Sequence, residues 1–127
     1  IIADGNYFMS NSVIHHDCKV ENNTIVCSNV SVAGSVTLMN GVYLGQNSSV
    51  HQFQILGSYS ILGMNSCVTK TTQIFPGRKY VGVPCRDIGE NKIGLDRSKI
   101  SKEYLDNELR RYEVLKEKMN INLDFIK

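Results

Sequence analysis

The stretch VSVAGSVTLMNGVYLGQNSSV, residues 30–50, carries a large apolar residue at every sixth position: Val32, Leu38, Leu44 and Val50. The same register extends in both directions without a miss, from Ile2 to Ile74. Because 42% of the residues are apolar, a run of this length arises by chance with a probability of roughly 10⁻⁵. A period of six fits neither a helix nor an alternating strand, and it predicts a hexapeptide β-helix.

A second series, four positions after each large apolar residue, is mostly small or β-branched. It runs through Asn6, Ser12, Cys18, Thr24, Val30, Val36, Val42, Ser48, Gln54, Ser60, Ser66 and Thr72. Such side chains are expected where a chain turns inward near a tight corner. Each hexad therefore predicts a short strand with one large and one small inward residue, followed by a bend.

The hexad pattern resembles that of the hexapeptide-repeat transferases. The resemblance implies that three hexads make one triangular coil, that the coils wind left-handed, and that the chain assembles as a homotrimer with active sites between subunits. Residues 1–77 would then form roughly four coils stacked about 4.8 Å apart. The expected fold is mainly β, a left-handed parallel β-helix with a C-terminal α-helical tail.

Charge divides the chain near Pro76–Gly77. Residues 1–77 hold two Lys or Arg and three acids, whereas residues 78–127 hold twelve and nine. The sequence therefore predicts a β-helix domain over 1–77 and a loop plus helical tail over 78–127. Within the tail, turn signals indicate an irregular loop over 78–97. From Ser101, apolar residues at helical spacing predict a helix, with Ser98 or Ser101 as its cap.

Composition argues against several classes of partner. The net charge of +2 favours neither nucleic acid nor a membrane surface, and no apolar run approaches the ~20 residues of a membrane span. The four cysteines show no CxxC pair and no zinc-finger spacing, so we expect reduced thiols, a cytoplasmic setting and no metal site. The chain opens on Ile1 rather than Met, and we interpret it as a processed or partial sequence.

The three histidines take informative positions if three hexads make one coil. His15 would lie in line with His51, and His16 would lie in line with Gly34 and Gln52. Histidines on either side of small residues predict a groove along one edge of the prism.

Four longer strings narrow the resemblance: NSVIHHDC (11–18), VAGS (32–35), SVHQF (49–53) and GLDR (94–97). They look like pieces of the UDP-N-acetylglucosamine acyltransferases of lipid A synthesis, in unbroken register over about residues 5–115. The resemblance implies that an acyl group moves from a thioester donor to a nucleotide sugar in lipopolysaccharide synthesis. The donor, on acyl carrier protein or coenzyme A, is a substrate, and no permanently bound cofactor is expected.

The resemblance also assigns catalytic roles. His16 would be the general base, Asp17 would orient its imidazole, and the backbone N–H of Gly34 would stabilise the developing oxyanion. A neutral imidazole suits a general base at physiological pH. Adjacent side chains of a strand point to opposite faces, so Asp17 can orient His16 only if the pair lies on a corner.

Substrate binding is assigned to a further set of residues. They are His15, His51, Gln52, Met64, Asn91 and Arg97. The resemblance places Met64 where the acyl slot ends, and its long side chain predicts a shorter acyl group. Ser35 and Ile93 stand where the family has a His and a Glu. These departures leave the sugar nucleotide open, together with the choice between O- and N-transfer.

Three other functions remain as alternatives. The first is an acetyl-coenzyme A-dependent N-acetyltransferase acting on an amino-sugar nucleotide for surface polysaccharide. The second is a gamma-class carbonic anhydrase, but the place of its third zinc-binding His is taken by Leu56, and three N or S ligands are needed. The third is a non-catalytic β-helix scaffold.

Overall fold

The structure is a computed structural model that describes the backbone of residues 1–126 and the side chains of residues 1–123. Two-residue strands begin every six residues, followed by a hairpin and two helices. The short strands are β1 (Tyr7–Phe8), β2 (Val13–Ile14), β3 (Lys19–Val20), β4 (Ile25–Val26), β5 (Ser31–Val32), β6 (Thr37–Leu38), β7 (Tyr43–Leu44), β8 (Ser49–Val50), β9 (Ile55–Leu56), β10 (Ile61–Leu62) and β11 (Cys67–Val68).

These strands form the three faces of a prism. Face 1 contains β1, β4, β7 and β10, face 2 contains β2, β5, β8 and β11, and face 3 contains β3, β6 and β9. All pairs within a face are parallel, and each residue is opposite the one three hexads later, as Val13 is opposite Ser31. The predicted left-handed parallel β-helix of about four coils is confirmed.

The large apolar residues of the six-residue series fill the prism. From Val20 to Ile74 each is almost completely buried. At the first coil, Ile2 and Phe8 face the open end of the stack and remain 55% and 37% exposed. Since burial of one Val or Leu side chain contributes about 1.5–3 kcal/mol, this column is the main source of stability.

Left-handed corners separate the faces. Every sixth residue from Gly5 to Gly77, except Thr71, has a positive φ, and the residues other than glycine fall between 57° and 62°. Five of them are asparagines, at positions 11, 23, 29, 47 and 65. Asparagine visits this conformation at lower cost than most residues. This polar series has the same period as the core, but it was not predicted.

The predicted loop over 78–97 is wrong. Residues 78–90 form a hairpin of β12 (Arg78–Gly82) and β13 (Cys85–Glu90), and α1 (Lys92–Arg97) follows. β12 also pairs with β10 in the register of the coils, because Tyr80 is the next member of the six-residue series after Ile74 and is buried like the rest of it. The sheet thus continues past residue 77, and the division of the chain at that point remains a prediction.

The predicted C-terminal helix is confirmed as α2 (Lys102–Ile126). The Ser101 hydroxyl accepts a hydrogen bond from the Tyr104 amide at 3.0 Å, so Ser101 is the cap. Tyr112, Leu115 and Met119 pack against Met39 and Ile55, which places α2 over face 3. Within residues 1–126, no helix is both long enough and apolar enough to cross a membrane.

A partly buried ion-pair network fastens α2 to the prism. Arg111 donates to both carboxylate oxygens of Glu21, at 2.5 and 2.6 Å, and to both of Glu108, at 2.8 and 2.9 Å. Glu108 also accepts from the Ser58 hydroxyl at 2.7 Å. The hydrogen bonds from Arg111, followed by that from Ser58, lower the pKa of Glu108 to about 2.

We expect Glu108→Gln to lower the free energy of unfolding by about 2–4 kcal/mol at pH 7, because it leaves the charge of Arg111 with one carboxylate fewer in a partly buried site. Urea unfolding measures the difference. Glu113→Gln, an exposed acid on the same helix, is the control and should change stability by less than about 0.5 kcal/mol.

The same network predicts a pH dependence. The pKa of Glu108 is lower in the folded chain than its unfolded value of about 4.3, so its contribution is complete above about pH 5 and is lost as the pH falls towards 2. The wild-type protein should therefore lose more stability over this interval than Glu108→Gln does. Equal losses would contradict the assignment.

Candidate active site

His16, Gly34 and Gln52 lie one above another on the corner between faces 2 and 3. The Ser35 amide donates to the carbonyl of His16 at 2.9 Å, and the Phe53 amide donates to the carbonyl of Gly34 at 3.2 Å. These three residues therefore lie in one column, as the spacing of three hexads per coil predicts. We call this edge the histidine corner, consisting of His16–Asp17, Gly34–Ser35 and Gln52–Phe53.

His16 and Asp17 form a hydrogen-bonded pair. Nδ1 of His16 lies 2.9 Å from Oδ2 of Asp17, and both side chains are 79% exposed. The contact is possible because Asp17 is a left-handed corner residue with φ of 60°. A carboxylate can only accept, so this pairing assigns the proton to Nδ1 and leaves Nε2 as the basic nitrogen.

Gly34 lies directly under the imidazole. A Cβ atom at this position would be 2.7 Å from Cε1 and 2.9 Å from Nε2 of His16, closer than real Cβ contacts allow. Within residues 1–126, the amide of Gly34 has no hydrogen-bond acceptor. A basic nitrogen and a free N–H donor therefore lie together at one point of the corner.

The other histidines lie on the adjacent column. The amides of His15 and His51 donate to the carbonyls of Val32 and Val68, at 3.0 and 2.9 Å, which fixes both in the coil ladder. Their side chains are exposed, and Nδ1 of His51 lies 3.0 Å from the carbonyl oxygen of Gln52. Two imidazoles and an amide thus flank the His16–Asp17 pair.

The remaining predicted site residues lie elsewhere on the chain. Met64 follows β10 on the corner between faces 1 and 2 and is 69% exposed. Asn91 and Arg97 lie beside face 1, near Tyr59. Within one chain, the histidine corner, Met64 and the Asn91–Arg97 segment therefore lie apart from one another.

Asn91 is held by contacts within the chain. Its Nδ2 donates to the carbonyl of Tyr59 at 2.9 Å, and its Oδ1 accepts from the Gly94 amide at 3.1 Å, capping α1. The side chain is buried. These contacts position Arg97, which lies at the other end of the short helix.

A cleft of about 710 Å³ lies between α1 and face 1. Its lining includes Tyr43, Tyr59, Lys79, Ile93 and Arg97. The two tyrosines and the lysine were not predicted as site residues. Positions 25, 43, 61 and 79 form one column in the register of the coils, so the period could have identified Tyr43 and Lys79, whereas Tyr59 is a corner residue.

The side chains that the structure describes, those of residues 1–123, contain no cluster of three or more His, Cys, Asp or Glu that could hold a metal ion. Leu56 is completely buried in the core. It contributes no ligand atom at the position where a gamma-class carbonic anhydrase would have its third His.

The three-sided coils of this chain are similar to those of the hexapeptide-repeat acyltransferases. The chain is 34% identical over 115 residues to acyl-[acyl-carrier-protein]–UDP-N-acetylglucosamine O-acyltransferase of Rhizobium etli, over 91% of this chain and 42% of the relative. The chain thus spans less than half the length of the curated relatives that it matches. No family model matches it.

Solved structures of UDP-N-acetylglucosamine acyltransferases are also similar to this chain. UDP-N-acetylglucosamine acyltransferase of Arabidopsis has a TM-score of 0.75 at 29% identity, over 80% of this chain and 35% of that one. UDP-N-acetylglucosamine O-acyltransferase of Moraxella catarrhalis has a TM-score of 0.73 at 31% identity, over 87% of this chain and 42% of that one.

Two glycines of the prism should respond differently to an added methyl group. In Gly34→Ala the new Cβ meets only the exposed ring of His16, which can move, so we expect the free energy of unfolding to fall by less than about 1 kcal/mol. In Gly57→Ala it would lie 2.3 Å from the backbone nitrogen of Pro76, and we expect a loss of about 3 kcal/mol. Chemical denaturation compares the two variants, and equal losses would show that the His16 ring is rigidly held.

Proposed function

We propose that the protein transfers an acyl group from a thioester donor to a nucleotide sugar of the UDP-N-acetylglucosamine type, as in lipid A synthesis. The observation that supports this most is the His16–Asp17 pair directly above the free N–H of Gly34. A base and an oxyanion donor at one point are the two groups that acyl transfer needs.

The reaction proceeds by direct attack. Nε2 of His16 takes the proton from a sugar hydroxyl or amine as that group bonds to the thioester carbonyl carbon. The carbonyl oxygen gains negative charge, which the Gly34 N–H stabilises. As the carbon–sulfur bond breaks, the leaving thiolate takes the proton from the imidazolium. Asp17 holds the ring in the required tautomer and stabilises its charged form.

The complete site includes more than one subunit in this proposal. Met64 lies on another corner and the Arg97 cleft lies beside face 1, so in this proposal a second copy brings them to the histidine corner. Face 1 presents a column of outward side chains suited to such packing, with Tyr7, Ile25 and Tyr43 exposed by 61%, 37% and 38%. The homotrimer that the resemblance implies satisfies both requirements.

The cleft beside face 1 is proposed to hold the nucleotide of the acceptor. Tyr43 and Tyr59 offer aromatic surface to a base, and Lys79 and Arg97 offer cations to phosphates. Ile93 is 72% exposed at this cleft and brings no hydrogen-bonding side chain where the family has a Glu. This difference favours an altered acceptor, and it keeps N-acetyl transfer to an amino-sugar nucleotide as the second candidate. The donor is acyl carrier protein or coenzyme A thioester in either case, and the cytoplasmic setting remains a prediction.

His16→Ala should lower kcat/KM by a factor of about 10²–10⁴, because the general base is lost while the fold is unchanged. The assay incubates the protein with acyl carrier protein and coenzyme A thioesters and with UDP-N-acetylglucosamine or its amino-sugar analogue, and measures released thiol and product mass. Ser31→Ala, an exposed residue of face 2, is the control. Absence of turnover with every pair of substrates would favour the scaffold function.

Met64→Gly should shift donor preference towards longer acyl chains, because the side chain that ends the proposed acyl slot is removed. The measurement is kcat/KM over a series of donors from acetyl upwards, with the same acceptor. An unchanged preference would show that Met64 does not end the acyl slot, and it would leave the role proposed for His16 unaffected.

A further inference from the structure

Two aromatic rings link helix α2 to the cleft beside face 1. Tyr59 lines that cleft, and the ring of Tyr104 packs edge to face against the ring of Tyr59, with centroids 6.2 Å apart and planes at 73°. Tyr104 is not among the described residues that line the cleft. An effect of Tyr104 on a ligand in the cleft would therefore pass through Tyr59.

The coil holds Tyr59 in an uncommon conformation. It is a left-handed corner residue with φ of 58°, which is unfavourable for a bulky side chain, and five other corners have asparagine instead. Its amide donates to the carbonyl of Asn40 at 2.8 Å, and its carbonyl accepts from Nδ2 of Asn91 at 2.9 Å. Strained residues that their surroundings fix in this way cluster at ligand sites.

Gly41 supports the ring of Tyr59 from the preceding coil. A Cβ atom at position 41 would lie 2.4–2.7 Å from three ring carbons of Tyr59, so the ring rests directly on the backbone of Gly41. The arrangement repeats that of His16 over Gly34. With Gly41 on one side and Tyr104 on another, the ring has little freedom to turn away from the cleft.

Tyr104 is in turn fixed by the ion-pair network of α2. Its hydroxyl donates to Oε1 of Glu108 at 3.1 Å, and the same carboxylate accepts from Arg111 and from the Ser58 hydroxyl. Burial, followed by the carboxylate of Glu108, raises the pKa of both Tyr59 and Tyr104, so both hydroxyls stay protonated at neutral pH. Contacts therefore run without a break from Arg111 through Glu108 and Tyr104 to the ring in the cleft.

We propose that Tyr104 is a positioning residue for the nucleotide site, because it holds the ring of Tyr59 in the orientation that contacts the nucleotide of the acceptor. The inference rests on the proposed function, which puts the nucleotide in this cleft. Tyr59 contacts the ligand, whereas Tyr104 acts only through Tyr59. Since the packed ring has few rotamers left, less side-chain freedom is lost when the ligand binds. The docking of α2 thus preorganises the cleft.

Calorimetric titration with UDP tests the role of Tyr104. Tyr104→Leu removes the ring contact, and we expect the Kd for UDP to rise about fivefold. Tyr104→Phe keeps the ring and loses only the hydrogen bond to Glu108, so its Kd should stay within about twofold of the wild-type value. Tyr112→Leu is the matched control, because it removes a buried tyrosine of the same helix that does not line the cleft. It should leave the Kd unchanged, whatever its effect on stability.

A double-mutant cycle tests whether Tyr104 acts through Tyr59. Tyr59→Asn introduces the residue found at five other corners, so the coil is kept while the ring is lost, and UDP should bind about tenfold more weakly. Adding Tyr104→Leu to Tyr59→Asn should then have no further effect on the Kd.

Three results of these titrations would overturn the proposal. The first is an unchanged Kd in Tyr104→Leu. The second is an equal rise in Kd in Tyr104→Leu and Tyr112→Leu, because a general loosening of α2 would then explain both. The third is a pair of losses that add in the double variant, because Tyr104 would then act independently of Tyr59.

The transfer assay separates this proposal from the proposed function. In Tyr104→Leu the KM for the acceptor should rise, with kcat and the KM for the donor unchanged, and a change confined to kcat would contradict a positioning role. If the wild-type protein transfers no acyl group, the proposed function fails, but a Kd for UDP that depends on Tyr104 still supports the positioning role. Absence of UDP binding to the wild-type protein overturns that role, whatever the transfer assay shows.

Discussion

The hydrogen bonds between successive coils determine where every residue of the prism lies. The Tyr7 amide donates to the carbonyl of Thr24 at 3.0 Å, and the Ile25 amide donates to that of Val42 at 2.9 Å, so each coil is held in one fixed register with the next. A slip of one residue would turn the inward series outward and expose it to water, and burial therefore enforces that register. Both the core column and the histidine column are consequences of this one ladder.

The ladder also explains why the candidate catalytic pair lies at a corner. A two-residue strand has one inward and one outward side chain, so neighbours in sequence cannot meet along a face. At a left-handed corner they can, and the His16–Asp17 contact depends on the φ of 60° at Asp17. Such a φ costs about 1 kcal/mol or more in a residue other than glycine. The paired coils on both sides offset that cost, and the corner geometry is therefore already formed before any ligand binds.

The sequence predicts the β-helix and the histidine corner because both follow from a strict period. The hairpin was not predicted, since its antiparallel pairing depends on the turn at Gly82–Cys85 and on Tyr80, an aromatic residue that continues an aliphatic series. The Arg111 network was not predicted either, because Glu21 and Arg111 are 90 residues apart and no local pattern links them. The separation of Met64 from His16 follows from the period, because residue 64 falls in the column of positions 28 and 46. The places of Asn91 and Arg97 depend instead on the hairpin and on α1, which were not predicted.

The position of Cys18 bears on how the proposed transfer takes place. This is the thiol beside the histidine corner, yet it is buried and its Sγ donates to the carbonyl of Ala33 at 3.2 Å, so it faces the core and not the substrates. An acyl-enzyme intermediate on this residue would require the coil to open and expose the apolar column. Direct transfer needs no such change, but it requires donor and acceptor to be bound together, with the base between them.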